Sequence, residues 1–153
     1  MIVFRLSKSM YANDLSGRGA EKAGGRWNSK GTAMVYTSES RALCTTEIAV
    51  HTPLGILPLD YVIIAIEIPK TMAIQELEID VLPEDWKSLP HSHSTQEIGD
   101  SFVTTEKFAV LRVPSAVVQG EYNYLLNPSH KDFKKIKVKL IEPFDFDERL
   151  FIK

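Results

Sequence analysis

"YVIIAIEI", residues 61–68, is almost unbroken apolar sequence rich in Val and Ile. A run of that length and composition reads as a strand, and one without polar alternation is buried on both faces, as a central strand is. Such a strand needs partners. Five further runs rich in Val, Ile, Tyr or Phe, each bounded by Gly, Pro, Ser or Asn, supply them at 2–6, 33–37, 108–113, 122–126 and 136–141. The last, within "KKIKVKLIEPF", alternates: Lys135, Lys137 and Lys139 face solvent while Ile136, Val138 and Leu140 face the core. That is the pattern of a half-exposed or edge strand protected from mispairing by charge.

Helical periodicity is clearest in "SESRALCTTEIAVHT", residues 38–52, where Ser38 or Ser40 can cap the helix and Leu43, Glu47 and Val50 fall on one side. A weaker helical region lies within 83–102, interrupted near Pro90 and Gly99. No repeat, low-complexity tract or long linker divides the chain, so it reads as one α+β domain over residues 1–153, with more strand than helix.

The chain has 153 residues, 44% hydrophobic and 25% charged. A domain of that size buries roughly two-thirds of its unfolded surface. No stretch reaches the roughly 18 uninterrupted apolar residues of a membrane span, and the first residues are strand-like where a signal peptide would be basic and then apolar. With a single cysteine, Cys44, ruling out an internal disulfide framework, this predicts a cytoplasmic protein without membrane contact. A net charge of −2 argues against direct nucleic-acid binding. Residues 1–60 carry seven Lys and Arg against five Asp and Glu, a slight bias toward an anionic ligand in that part.

Within it, "GGRWNSKGTAMVY", residues 24–36, sets Arg26 after two glycines that permit a tight turn or a close approach to a ligand. Arginine's planar fork suits phosphate or carboxylate; the alternative is a β-turn in which Arg26 stacks on Trp27. Tyr36, at the end of a strand, either packs half-buried or offers a ring face to a flat base. Glu47 is the lone carboxylate in a stretch without other charge from Ala42 up to Asp60. It either points to water or grips a ligand. Ser115, after Pro114 in "RVPSAVV", is a turn former or a hydrogen-bonding group, and "NYLLNPSH" adds Asn123, Asn127 and His130, with a turn beginning at Asn127. Cys44, Glu47 and His51 share part of a helix face, yet neither paired CxxC motifs nor an HExxH helix occurs, so no metal is assigned. GxSxG, P-loop and GxGxxG signatures are likewise missing from the sequence.

Taken in order, "FRL" with Arg5, "GGRWNSKG" with Arg26, "VYTSES" with Tyr36, "TTEIAVH" with Glu47, "LRVPSAVV" with Ser115 and "NYLLNPSH" resemble the RES domain, over residues 4–134. Phe102, where a tryptophan is usual, and Cys44, where a small apolar residue is usual, depart from the pattern without touching the site. The resemblance implies an ADP-ribosyltransferase-like fold: two small, mainly antiparallel sheets around an NAD-binding cleft, with a few helices. It implies a toxin that depletes NAD+ by hydrolysis or phosphorolysis of the nicotinamide–ribose bond or, alternatively, transfers ADP-ribose to a host protein. The implied partner is an Xre-type helix-turn-helix antitoxin, in a hetero-oligomer. The implied site is Arg5, Arg26, Tyr36, Glu47 and Ser115, with Glu47, Arg26 and Ser115 catalytic, NAD+ as substrate and no metal.

In that setting Glu47 would stabilise an oxocarbenium-like ribose or hold its hydroxyls, Arg26 and Arg5 would take the pyrophosphate, Tyr36 would stack on nicotinamide or its ribose, and Ser115 would hydrogen-bond the amide or ribose. A module that binds nucleotide or a partner without cutting is the third reading; intact Arg26, Tyr36, Glu47 and Ser115 argue against it.

Overall fold

The computed structural model describes residues 1–152. Seven strands and three α-helices follow one another as β1 (Ile2–Lys8), α1 (Arg18–Ala23), β2 (Val35–Ser38), α2 (Arg41–His51), β3 (Tyr61–Glu67), β4 (Ile74–Glu76), α3 (His93–Thr105), β5 (Val110–Pro114), β6 (Tyr122–Leu126) and β7 (Lys137–Phe144). The strands form one sheet in the order β4-β5-β6-β2-β1-β3-β7, antiparallel throughout except for the parallel β4–β5 pair. The expected α+β class and antiparallel pairing are present. The two expected sheets are two halves, β4-β5-β6-β2 and β1-β3-β7, hydrogen-bonded into one through a single register pair, Phe4 opposite Ser38.

Side-chain alternation explains the double-sided burial of 61–68. Val62, Ile64 and Ile66 join a cluster with Val3, Val110, Tyr124 and Leu126 that runs along one face of the whole sheet. Ile63 points to the other face and packs with Leu6, Cys44, Phe146 and Phe151 next to α2. Beyond the joint, that second face carries a separate cluster, in which Trp27, Met34, Trp86 and Leu125 pack with Phe102 and Val103 of α3. One face thus has a continuous core and the other a divided one. The strand is not central, however: it lies next to the edge, between β1 and β7.

The edge role of β7 follows the sequence reading, but its alternation breaks. Val138 opposes Ile66 and Leu140 opposes Ala65, so Lys139 is an extra, bulged residue that shifts every later side chain to the other face. Leu140, expected to face the core, is exposed instead, while Ile136 and Val138 before the bulge keep their core positions.

Ser40, in extended conformation, caps α2 by accepting the Leu43 amide at 3.0 Å. Ser92 does the same for α3 through Thr95. The strand β4 and helix α1 carry too few residues to show periodicity, and neither was legible in the sequence. Within α3, Gly99 is a contact point: a Cβ there would stand 1.5 Å from the Trp27 carbonyl oxygen. Helix and turn touch backbone to backbone. Gly99→Ala is expected to lower the unfolding free energy by about 1–3 kcal/mol or more through overpacking, measured by urea denaturation; an unchanged midpoint would contradict this packing.

Candidate active site

The double glycine of residues 24–25 has two distinct causes. Gly24 adopts φ +70°, a left-handed conformation that favours glycine, at the C-terminus of α1. Gly25 has no room for a side chain, since a Cβ would lie 2.7 Å from the Tyr36 hydroxyl. That hydroxyl accepts the Trp27 amide at 3.1 Å and donates to Asn28 Oδ1 at 2.6 Å. Asn28, fully buried, donates in turn to the carbonyls of Ala20 at 2.8 Å and Thr32 at 3.0 Å. The turn is therefore cross-tied from inside by Asn28 and Tyr36. Burial pushes the Tyr36 phenol well above the ordinary tyrosine range, so it stays a neutral donor.

This turn delivers Arg26. Trp27 goes into the core, and Arg26 does not stack on it; its Nη1 donates to the carbonyls of Trp86 at 2.7 Å and Ser88 at 3.2 Å. Its Nη2 and Nε make no bond with the described residues. Burial lowers its pKa from the usual arginine value, partly offset by the nearby negative charge of Glu47 and then by Tyr36. Arg5 is also half-buried, and its Nη1 donates to the Asp14 carbonyl. Burial lowers its pKa too, opposed by Asp14 and Cys44. Neither arginine forms an ion pair among the described residues. Half-buried guanidinium groups satisfied only by carbonyls keep an unneutralised positive charge.

Glu47 does not point freely to water. It is half-buried, and its Oε1 accepts both the Asn123 amide at 2.8 Å and the Ser115 hydroxyl at 3.1 Å. Ser115, buried in the turn after β5, accepts the amides of Val117 and Val118 at 3.0 Å each. Its one donor and two acceptor positions are thus all used: it forms the turn, as its place after Pro114 suggested, and donates its hydroxyl to Glu47, a contact the sequence did not indicate. Cys44, one turn before Glu47, is buried and its thiol donates to the Phe4 carbonyl at 3.3 Å. Burial pushes the thiol up to about 11, so it is protonated and inert near neutrality.

Four of the five expected residues thus gather on the divided face. Tyr36 reaches the Arg26 turn, Arg26 senses Glu47, and Glu47 bonds Ser115. Arg5 stands apart: register with Ile64 puts it on the face opposite Phe4 and Leu6, and no hydrogen bond joins it to the other four. Two residues of this region escaped the sequence reading as site members. Asn123 touches Glu47; mid-strand asparagine is unusual, and that was the available signal. His91, in the loop that carries the Arg26-binding carbonyls, has a buried Nδ1 without a partner, and burial, then Arg26 and His51, lowers its pKa. His130, by contrast, is a local cap, its Nδ1 accepting the Asp132 amide at 3.0 Å. Among the described residues no group of His, Cys, Asp and Glu is arranged to hold a metal, and no helix is long and apolar enough to cross a membrane. Two concavities, of about 370 Å³ beside α3 and about 270 Å³ near Lys107 and His130, contain none of the five residues.

Comparison with known proteins gives this arrangement its class. A chain of the crystal structure of the M. tuberculosis MbcT–MbcA toxin–antitoxin complex superposes with a TM-score of 0.75 over 94% of this chain and 84% of that one. At 18% identity, the likeness is one of fold, a mixed α/β fold on one seven-stranded sheet. The model of the RES domain matches residues 2–147, and the chain belongs to that family. Among its relatives, the Prs ADP-ribosylating toxin of Sphingobium sp. is 38% identical over 149 residues, covering 96% of this chain and 92% of that one. Toxin Res of Photorhabdus laumondii is 39% identical over 153 residues, covering 98% and 97%.

Tyr36→Phe would leave the Trp27 amide and Asn28 Oδ1 without their partner. The expected cost is about 1–3 kcal/mol in urea unfolding, the penalty of stranded buried polar groups; wild-type stability would mean that the hydroxyl does not tie the turn.

Proposed function

We propose that this protein is the toxin of a toxin–antitoxin pair and cleaves the bond between nicotinamide and ribose in NAD+. The observation that carries the reading is the charge arrangement on one face: Arg26, held by carbonyls without a direct ion pair, and a fixed carboxylate, Glu47, held by Asn123 and Ser115. A dinucleotide presents the complementary pattern, an anionic pyrophosphate beside a sugar carbon that becomes cationic as nicotinamide leaves. In that reaction the C1′–N bond breaks with its electron pair going to nicotinamide. Water or inorganic phosphate then attacks C1′, a water proton being released in the hydrolytic case.

In this reading Arg26 binds the pyrophosphate through the free edge of its guanidinium, and no role is assigned to Arg5, which stands on the other face of the sheet. Glu47 stabilises the developing positive charge on the ribose or holds its hydroxyls through the oxygen not taken by Asn123 and Ser115. Tyr36 lines the nicotinamide side and holds the Arg26 turn in place. Ser115 acts through Glu47, because its hydroxyl is already fully engaged. The reaction requires no metal.

A second reading uses the same pocket with a protein acceptor for ADP-ribose. It is favoured by the name of the Sphingobium relative, an ADP-ribosylating toxin. The solved toxin–antitoxin complex of the same fold supports an antitoxin as partner, for which we propose an Xre-type protein in a cytoplasmic hetero-oligomer.

The test is incubation of the purified protein with NAD+, with and without phosphate, following nicotinamide release and the fate of label in the adenylate half. Release with label in free ADP-ribose or its phosphate supports cleavage; label on a supplied protein supports transfer; neither product from folded protein overturns both. Glu47→Gln should lower turnover by roughly 10²-fold or more while melting like the wild type. Retained activity would remove Glu47 from the chemistry. Arg26→Ala should chiefly raise the KM for NAD+, by about tenfold or more, the signature of lost ligand binding; unchanged kinetics would remove Arg26 from the site.

A further inference from the structure

We infer that Asn123 is the positioning residue for Glu47: its amide, itself oriented by Ser38, fixes Oε1 of the carboxylate and leaves Oε2 as the oxygen that faces the ligand. The inference deepens the proposed reaction and rests on Glu47 being its working carboxylate.

The orientation of the Asn123 amide follows from chemistry. An ionised carboxylate only accepts hydrogen bonds, so the group 2.8 Å from Glu47 Oε1 is the NH₂ end, Nδ2. That turns Oδ1 the other way, and there the Ser38 hydroxyl donates to it at 2.9 Å. Ser38 and Asn123 are register partners across β2 and β6, so their side chains leave the sheet together on one face. Ser38 is buried, and it is also the residue of β2 that opposes Phe4 of β1. The relay Ser38–Asn123–Glu47 is thus anchored where β2 meets both β6 and β1.

Two donors converge on Oε1, and no described residue bonds Oε2. A carboxylate held this way cannot rotate without breaking two charge-assisted bonds. Ser115 alone would hold Oε1 as a pivot. Asn123, arriving from a different strand, fixes the rotation about it. This accounts for an amide in mid-strand, between apolar neighbours, where a β-branched residue would suit the sheet better. It also accounts for amide rather than acid: aspartate at 123 would set a second carboxylate about 3 Å from Glu47, and like charges that close oppose each other strongly.

The decisive experiment compares the full-length wild type with Asn123→Asp, Asn123→Ala and Ser38→Ala, measuring kcat and KM for nicotinamide release together with thermal melting. Both Asn123 variants should lose at least about tenfold in kcat with KM changed less than about threefold. Ser38→Ala, which keeps the amide but frees it to turn, should lose a smaller factor, about two- to fivefold. A folded Asn123→Asp or Asn123→Ala with wild-type kcat overturns the inference. So does a loss confined to KM. The geometry is read separately in the ¹H–¹⁵N resonances of the Asn123 side-chain amide, which need no turnover. In the wild type its protons should exchange slowly with water, and Glu47→Ala should speed them; exchange at the rate of an exposed asparagine overturns the inference even if NAD+ is cleaved. Slow exchange in a wild type that neither releases nicotinamide nor labels protein sinks the proposed reaction while leaving the Asn123–Glu47 bond established.

Discussion

The two halves of the sheet meet at one pair of residues, Phe4 and Ser38, and the candidate site is organised around that joint. A strand pair held over several residues would close the sheet face beneath α2 with side chains. A single pair instead leaves the two halves to meet under the helix that immediately follows β2. Helix α2 then ties them: the Cys44 thiol bonds the Phe4 carbonyl on one side, and Glu47 bonds Asn123 and Ser115 on the other. The apolar clusters divide at the same place, one beside α2 and one against α3, while the opposite face keeps its continuous core. Polar side chains can stand between the two clusters because neither fills that space.

The energetic character of the region fits a binding surface. Arg26 and Arg5 are partly desolvated with carbonyl partners only, and burial lowers both pKa values. Each retains a charge that an ion pair would ordinarily compensate. Three other arginines are paired: Arg112 meets Glu78 at 2.6 Å, Arg41 meets Glu142 at 2.7 Å and Arg149 meets Asp147 at 2.6 Å. The contrast sets Arg26 and Arg5 apart from arginines that serve the fold.

Much of this was legible in the sequence where the signal is local. The strand at 61–68, the Ser40 cap and the turn at Asn127 are each decided by residues within a few positions of one another. The alternation of β7 was legible until Lys139, where the bulge depends on pairing with β3 and has no local signature. The site divides in the same way. Arg26, Tyr36, Glu47 and Ser115 were identified by their motifs, and the structure brings them together. Their contacts could not be read from those motifs. That Gly25 yields to the Tyr36 hydroxyl, that Ser115 is spent on Glu47 and that Asn123 completes the carboxylate's anchorage depend on residues from 11 to 76 positions apart. Arg5 shows the limit of a motif: its neighbours in sequence point one way and its side chain the other.

The separation of Ser38 from Asn123 by 85 positions has a consequence for how the protein is made. Contacts that distant form late, since the intervening chain must first be closed into a loop. A nascent chain emerging from the ribosome at about 5–20 residues per second carries Arg26, Tyr36 and Glu47 for several seconds before β6 exists. During that interval Glu47 lacks both the strand that bears Asn123 and the turn that bears Ser115, and β2 lacks the neighbour that fixes Ser38. The unfinished polypeptide therefore holds the charged groups without their geometry, and translation of the last quarter of the chain is what arms it.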